Sequence, residues 1–470
     1  MGSSGTGDAI RHAHLHPGYT LITWEPVAVP VYALTADLVL QQEKPLPPVD
    51  EFVLEAIDAG LTTLDGIGGL LGLEPHVVNY GVTKQVMQDH VVVVPGGDRP
   101  EAQLALTPIG REALESLRYT VPAREHYRLV FDRLLWQPIP RRHNDLMRGR
   151  EHRDRDLVVL PKAERRQTTV ADIKTADVGR LVNREGANGV RVDVLAVSAV
   201  VRQEPRYLEA QLLVYASDDS DDLRFEVVID GAVSPRHTEA LVRDGRAQQL
   251  PYELKSPPVA PDLHGGLMRA CVALDDVREA NKAYLRTLRH TLDLPDGPPG
   301  QGPRPDGPPA SVEEPRVREI ETWEHVVFLE AALRHASRRL LIVTPGLSCH
   351  VVDASMLAAL QRLAERRVEV RIAVGPQAGI DSDDDTAAAA GLQTLAREHP
   401  SLEVVRLDRH PIPTLVWDGN WVAGGFDWLG HRAGRPRPIR RERGVLVRIE
   451  DEVDTAYARA AAQGWQQRDW

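Results

Sequence analysis

The sequence predicts a multidomain chain of mixed α/β and α+β character, and three observations predict it. Its 470 residues exceed what one ordinary hydrophobic core organises. The stretch from Leu294 to Pro315 alternates proline and glycine so densely that it can pack neither as helix nor as strand. Hydrophobic periodicity also changes along the chain, from helical spacing, to long β-branched runs, to regular alternation of helix and strand. The divisions that follow are an N-terminal extension (1–48), a helical module with a hairpin (49–137), a charged linker (138–167), a central β-rich α+β module (168–293), a Pro/Gly linker (294–316) and a C-terminal α/β domain (317–470).

Composition narrows the function classes. Hydrophobic residues at 42% and charged residues at 26% fit a globular protein and exclude a wholly disordered chain. A net charge of -12 excludes a uniformly basic nucleic-acid coat but leaves room for a local basic patch. Cys271 and Cys349 form no CxxC pair and no zinc spacing, which points to a reducing, cytoplasmic setting. No apolar run approaches the about 20 residues of a membrane helix, and the N-terminus lacks a signal-peptide core, so no membrane partner is expected. There is no P-loop, dinucleotide fingerprint or local Ser/His/Asp signature, and no cofactor or metal is expected.

In the helical module, Phe52, Val53, Ala56 and Ile57 sit at helical spacing. Leu64, Ile67, Leu70 and Leu71 follow, closed by Gly72-Leu73. A third helix is predicted over Pro75–Gln88. The run Val91–Val94, a turn at Pro95-Gly96-Gly97-Asp98 and Gln103–Leu106 then read as a β-hairpin. Thr107 is placed to cap a last helix. Three helices, a hairpin and a closing helix, ending Leu106-Thr107-Pro108-Ile109-Gly110, resemble a bacterial winged-helix domain. Gly66, Gly68 and Gly69 depart from the pattern, because each costs about 1 kcal/mol relative to alanine inside a helix. The resemblance implies a third helix in the DNA major groove, where Lys84 would meet phosphate beside His76, Asn79, Tyr80 and Gln85. One lysine is a small electrostatic footprint, so DNA contact and protein docking both stand as readings.

The stretch Arg141–Arg166 interleaves arginines with Asp145, Glu151, Asp154, Asp156 and Glu164 and holds no aromatic residue, so base stacking is not supported. It reads as a solvated face or linker, with nucleic-acid contact as the alternative. In the central segment Val190–Val201, Tyr207–Tyr215 and Leu223–Ile229 are predicted strands. Ser217–Asp222 is an exposed acidic turn between the last two, lacking the glycine and terminal glutamate of a calcium loop. Helices are predicted over His237–Arg243 and Val272–Leu292. His12, His14 and His16 form an HxHxH run beside Pro17-Gly18, expected to fray instead of binding metal. His350 reads as a loop histidine, and Asp381–Asp385 as a solvated helix start.

From Val317 onward, helix and strand alternate: a helix face from Trp323 to Leu333, a buried strand Arg338–Pro345, then helix Met356–Ala364, strand Val368–Val374, helix Ala387–Glu398 and strand Leu402–Leu407. The next stretch, Arg409-His410-Pro411-Ile412-Pro413-Thr414-Leu415-Val416-Trp417-Asp418 and on to Gly424-Gly425-Phe426-Asp427, resembles the active-site segment of the phospholipase D superfamily. Arg441-Glu442-Arg443-Gly444-Val445 adds to a likeness spanning about Glu321 to Trp470. The family's segment is histidine-x-lysine-x4-aspartate followed by glycine-serine-x-asparagine. His410 falls at the nucleophilic histidine and Gly424 at the glycine. The resemblance implies an attack of histidine on phosphorus, with lysine and asparagine steadying the phosphoryl oxygens.

The departures bear on activity. Ile412 stands at the lysine position, Trp417 at the aspartate position with Asp418 adjacent, Gly425 at the serine and Asp427 at the asparagine. Losing one preorganised phosphoryl clamp typically costs about 10²–10³ in rate, so losing several argues against turnover. The expectation is a non-catalytic, DNA-associated adaptor. The alternatives are a variant nuclease using His410 and a protein-assembly scaffold. The loop from His431 to Arg443 is the densest positive cluster of this domain; Arg435, Arg437, Arg440 and Arg441 are the candidates for holding phosphate, and any of these or Arg432 for replacing the missing lysine. The joined architecture resembles accessory proteins of bacterial DNA-processing or phage-defence systems. That likeness implies DNA and other proteins of such a system as partners. Single-motif members of the phospholipase D family often form paired domains, so the resemblance implies a homodimer under all three readings.

Overall fold

A computed structural model describes residues 3–95, 103–185, 192–254, 263–278, 315–376, 383–431 and 437–462. The chain forms two compact units, each assembled from separated stretches, whereas the composition-based divisions follow chain order. One unit comprises 30–149 and 162–207, the other 1–29, 150–161 and 208–470. Mixed α/β structure with several sheets runs throughout.

In the first unit, residues 31–45 of the strand Tyr19–Pro45 pair antiparallel with Arg118–Asp132, in register from Val31 opposite Asp132 to Pro45 opposite Arg118. Alternation decides which face is buried: Tyr32, Leu34, Ala36, Leu38 and Leu40 point inward, against Ile173, Val178 and Val182. The last two of these lie on the helix Thr175–Glu185. Residues 1–48 were expected to be an extension. The long strand was missed because Pro26 and Pro30 punctuate the apolar run and each removes a ladder donor, yet the backbone stays extended through both.

Between the paired ends at Pro45 and Arg118 the chain inserts helices Pro48–Asp58, Leu64–Leu71 and Pro75–Met87. The hairpin Val91–Val94/Gln103–Leu106 and the helix Pro108–Ser116 complete the insertion. Val53, Leu54, Ile57, Ile67, Val78 and Val82 make its core. The expected ends are present, with Thr107 accepting from the Gly110 N–H and Gly72 closing a helix at φ +63°; Thr63, accepting from the Gly66 N–H, is a further cap. Gly110 permits a close backbone approach, because a Cβ there would lie 2.0 Å from the His90 carbonyl oxygen. The turn expected at 95–98 lies, apart from Pro95, outside the described residues.

The second unit includes the helix Ser3–His12, whose Ala9 and Ile10 are fully buried together with Leu21, Trp24, Leu213 and Tyr215. The HxHxH run is therefore not frayed. His16 lies 2.9 Å from Glu226, His14 lies 3.8 Å from Glu321 with its ring edge-on to Trp323, and His12 approaches the Gly231 carbonyl at 3.5 Å. Three histidines with three different partners do not converge on one ion.

The expected strands at 190–201 and 207–215 are one continuous strand, Val192–Ser217. The polar interruption Arg202–Arg206 hid that continuity. Its end pairs antiparallel with Leu223–Ile229, from Gln211 opposite Val228 to Ala216 opposite Leu223. The turn 217–222 is tied down instead of merely solvated: Asp218 accepts from the Thr20 hydroxyl (2.7 Å) and pairs with Arg278 (3.4 Å). A helix at Pro235–Val242 matches expectation. The one expected over Val272–Leu292 lies outside the described residues from 279 onward, as does the linker 294–316 up to 314.

The C-terminal sheet orders its strands Val317–Ile320, Gly444–Val447, Asn420–Gly424, Thr414–Trp417, Arg339–Thr344, Glu369–Val374 and Leu402–Arg406. The last three are parallel, and the other pairings are antiparallel. Leu340 to Val343 are buried on both faces, as an uninterrupted apolar run requires. Leu340 and Ile342 face helices Thr322–His335, Ala354–Glu365 and Asp383–Glu398, while Leu341 and Val343 face Glu450–Ala461. This three-layer arrangement places the loops after Thr344 and Gly424 beside one another.

Candidate functional site

Those two loops meet through Asp427. The Thr344 hydroxyl (2.7 Å) and the backbone N–H groups of Gly346 (3.2 Å) and Gly430 (3.1 Å) all donate to its Oδ1. A Cβ at Gly430 would stand 2.4 Å from the other carboxylate oxygen, so a glycine is needed there. Asp427 thus anchors two loops, a role that its position in the motif did not reveal.

Beside it opens a cavity of about 400 Å³ whose polar lining includes His410, Asp427, His431, Arg440 and Glu442. Ile22, Trp24, Val326 and Phe426 supply apolar wall. His410 lies in the segment before the strand Thr414–Trp417 and is exposed. Glu442, by contrast, is only 8% exposed. Thr322 holds its backbone from both sides: the Thr322 hydroxyl accepts from the Glu442 N–H (2.9 Å) and donates to the Glu442 carbonyl (2.9 Å). Its Oε2 has no hydrogen-bond partner among the described residues. Burial raises its pKa above the ordinary glutamate value; Arg440 opposes the rise and the charge of Asp427 adds to it. Gly425 makes room for it, because a Cβ at 425 would lie 2.9 Å from Glu442 Oε2.

Trp417 and Asp418 serve the fold, whereas Ile412 does not. Ile412 is 63% exposed and does not line the cavity. Trp417 is buried, its ring 5.9 Å from that of Phe328. Asp418 occupies the turn between two strands at φ +47°. It accepts from the N–H groups of Ser337, Arg338 and Arg339 and from the Ser337 hydroxyl. Burial alone would raise its pKa, but those donors hold it below the usual aspartate range.

The predicted cations do not form one patch among the described residues. Arg440 is exposed at the cavity. Arg441 turns to the acidic turn, donating to the carbonyls of Ser217 and Asp218 (2.5 and 3.0 Å). Arg435 lies outside the described residues, and Arg437 is described only as the first residue of the strand Arg437–Ile439. Lys84 pairs with the largely buried Asp50, and that hydrogen bond raises its pKa. In the charged stretch, Arg155 grips Glu209 through two hydrogen bonds (2.8 and 2.6 Å), and Arg166 grips Asp172 through two (both 2.6 Å). His350 lies 3.6 Å from Asp156. Among the described residues no group of three or more His, Cys, Asp or Glu side chains is placed to hold a metal, and no helix is long and apolar enough to cross a membrane. Sequence reasoning missed Glu442 as a site residue; its neighbours in Arg441-Glu442-Arg443 read as a basic loop, which hid a carboxylate turned inward.

No protein-family model matches the chain, and comparison with curated proteins gives no match. Solved structures to which it is similar include phospholipase D family members and an archaeal DNA-binding protein. Nuc from Salmonella typhimurium is 15% identical, with 33% of this chain and 97% of that chain covered and a TM-score of 0.25. NucT from Helicobacter pylori is 10% identical, with 31% and 94% covered and a TM-score of 0.25. The archaeal chromatin protein TrmBL2 is 15% identical with a TM-score of 0.24; 40% of this chain matches, spanning 62% of the length of TrmBL2.

Proposed function

We propose that the chain is a non-catalytic adaptor that associates with DNA, in which a phospholipase D-like region (residues 317–470) is kept for binding and not for turnover. A winged-helix-like module within residues 49–137 supplies a second contact. The charge of the cavity at His410 carries this reading. A phosphoryl-transfer site needs cations around the attacked phosphate. Here the lysine position is Ile412, pointing to solvent, and among the described residues two carboxylates, Asp427 and Glu442, share the cavity with one arginine, Arg440. A phosphodiester placed against His410 would face net repulsion.

DNA association is tested by retention of duplex DNA on a native gel. Retention is expected at about 50 mM salt and loss by about 200 mM, since phosphate contacts dominate such binding. Arg435→Ala combined with Arg437→Ala is expected to weaken it. Retention indifferent to salt and to both substitutions would count against the DNA reading.

One observation favours a second reading, in which the helical module docks on protein. Tyr80 is 75% and Met87 83% exposed on the helix Pro75–Met87, while Lys84 is engaged by Asp50. That surface is richer in apolar area than in available positive charge. Absence of DNA retention at low salt is the result that this reading expects.

A further inference from the structure

We infer that the cavity beside His410 is a receptor for an organic cation, a guanidinium or alkylammonium group, instead of a phosphate. The inference rests on the same cavity as the non-catalytic reading and assigns it a ligand class. Glu442 is more than nine-tenths buried, lines the cavity, and presents an Oε2 without a hydrogen-bond partner among the described residues. A buried acceptor left unmade is costly, and a carboxylate in such a place calls for a donor that brings positive charge. Asp427 lines the same cavity, with its Oδ1 already satisfied by three donors. Ile22, Val326 and Phe426 give the cavity apolar wall, and a low-dielectric wall strengthens a charge pair formed against it.

The sequence itself prepares the pocket. Glycine at 425 leaves the space that a Cβ would take from Glu442 Oε2, and the reciprocal bonds with Thr322 fix the Glu442 backbone. Among the described residues Arg440 is the one guanidinium in the lining, and it is exposed. It competes with an incoming cation instead of helping it. Removing it therefore has opposite consequences for the two ligand classes, which makes the inference sharp.

The test is calorimetric titration of the full chain at low salt with agmatine, with a doubly blocked Gly-Arg-Gly peptide, and with orthophosphate. Agmatine represents a free cation and the peptide a side chain from a partner, so the stronger of the two identifies the source. Saturable binding of at least one is expected, with no binding of orthophosphate. Glu442→Gln is expected to weaken it about tenfold, as loss of one charge-assisted contact does. Asp427→Asn keeps an acceptor for Thr344, Gly346 and Gly430 and is expected to weaken it less. Arg440→Ala is expected to strengthen cation binding, and it decides the matter if Glu442→Gln does not fold. Binding of orthophosphate that Arg440→Ala abolishes would overturn the inference, as would failure of both cations to bind. Failure of both cations to bind leaves the non-catalytic reading standing, because that reading is judged by DNA cleavage, which involves none of these probes; phosphate binding through Arg440 would count against both.

Discussion

Acidification from pH 7.5 to pH 4.5 is expected to remove on the order of 3 kcal/mol of stability through His325 alone. This imidazole is fully buried, and burial lowers its pKa from 6.5 to about 4, although its bonds to the Glu321 and Thr322 carbonyls partly oppose the shift. Its Nδ1 lies 3.0 Å from the Glu321 carbonyl oxygen and so carries the proton, leaving Nε2 as a bare nitrogen without a partner among the described residues. The ring stacks on Phe426 at 4.7 Å. Gly424 and Gly444, opposite one another in adjacent strands, make room for it; a Cβ at 444 would lie 2.5 Å from Nε2. The folded state holds the ring neutral, whereas the unfolded chain protonates it near pH 6.5. Its contribution is thus fully present above pH 6.5 and is lost as the pH falls from there toward 4. Chemical denaturation across that range measures the slope, and His325→Leu is expected to remove this part of it. An unchanged slope in the variant would place the titrating group elsewhere.

Arg318→Met is expected to destabilise the unit containing residues 208–470 by about 3–5 kcal/mol, because it strands a buried carboxylate. Arg318 and Glu324 are 1% and 3% exposed at their side chains and lie 2.9 Å apart. Glu324 also accepts from the Glu321 N–H (2.8 Å), capping the helix Thr322–His335. The methionine removes the guanidinium, yet the capping carboxylate must stay, now without its countercharge. Adding Glu324→Leu is expected to recover part of the loss, since an apolar pair costs less than a lone buried charge, although the cap goes with it. Urea midpoints of the two variants and the double variant form the cycle that separates these contributions. Equal stability of Arg318→Met and the parent would mean that the pair is solvated.

Much of the architecture was legible because it is written in period and punctuation. The helices and hairpin between Pro48 and Ser116 follow from apolar spacing, and Thr107 and Gly72 mark ends where the chain does end its elements. The C-terminal alternation of strand and helix was readable for the same reason. What was hidden is long-range. Pro26, Pro30 and Pro205 interrupt the apolar pattern of two long strands without breaking them. The pairing of residues 31–45 with 118–132 across an intervening module leaves no local trace. At the site, the motif located His410 and Asp427, but not their work. That Asp427 clamps two loops through Thr344 and Gly430, and that Glu442 points inward from an arginine-rich stretch, are facts of packing. Arg441 likewise reads as a free cation in sequence and is spent on the carbonyls of Ser217 and Asp218.

The proposed phospholipase D-like region, with His410 but no lysine, is expected not to cleave phosphodiesters. Incubation of single- and double-stranded DNA with the protein in EDTA, alongside His410→Ala, tests it most directly. No cleavage by either form, with DNA retained on a low-salt gel by both, is the predicted result. Cleavage by the parent that His410→Ala abolishes would contradict the account, because it would mean that an arginine has taken the place of the missing lysine in a working enzyme.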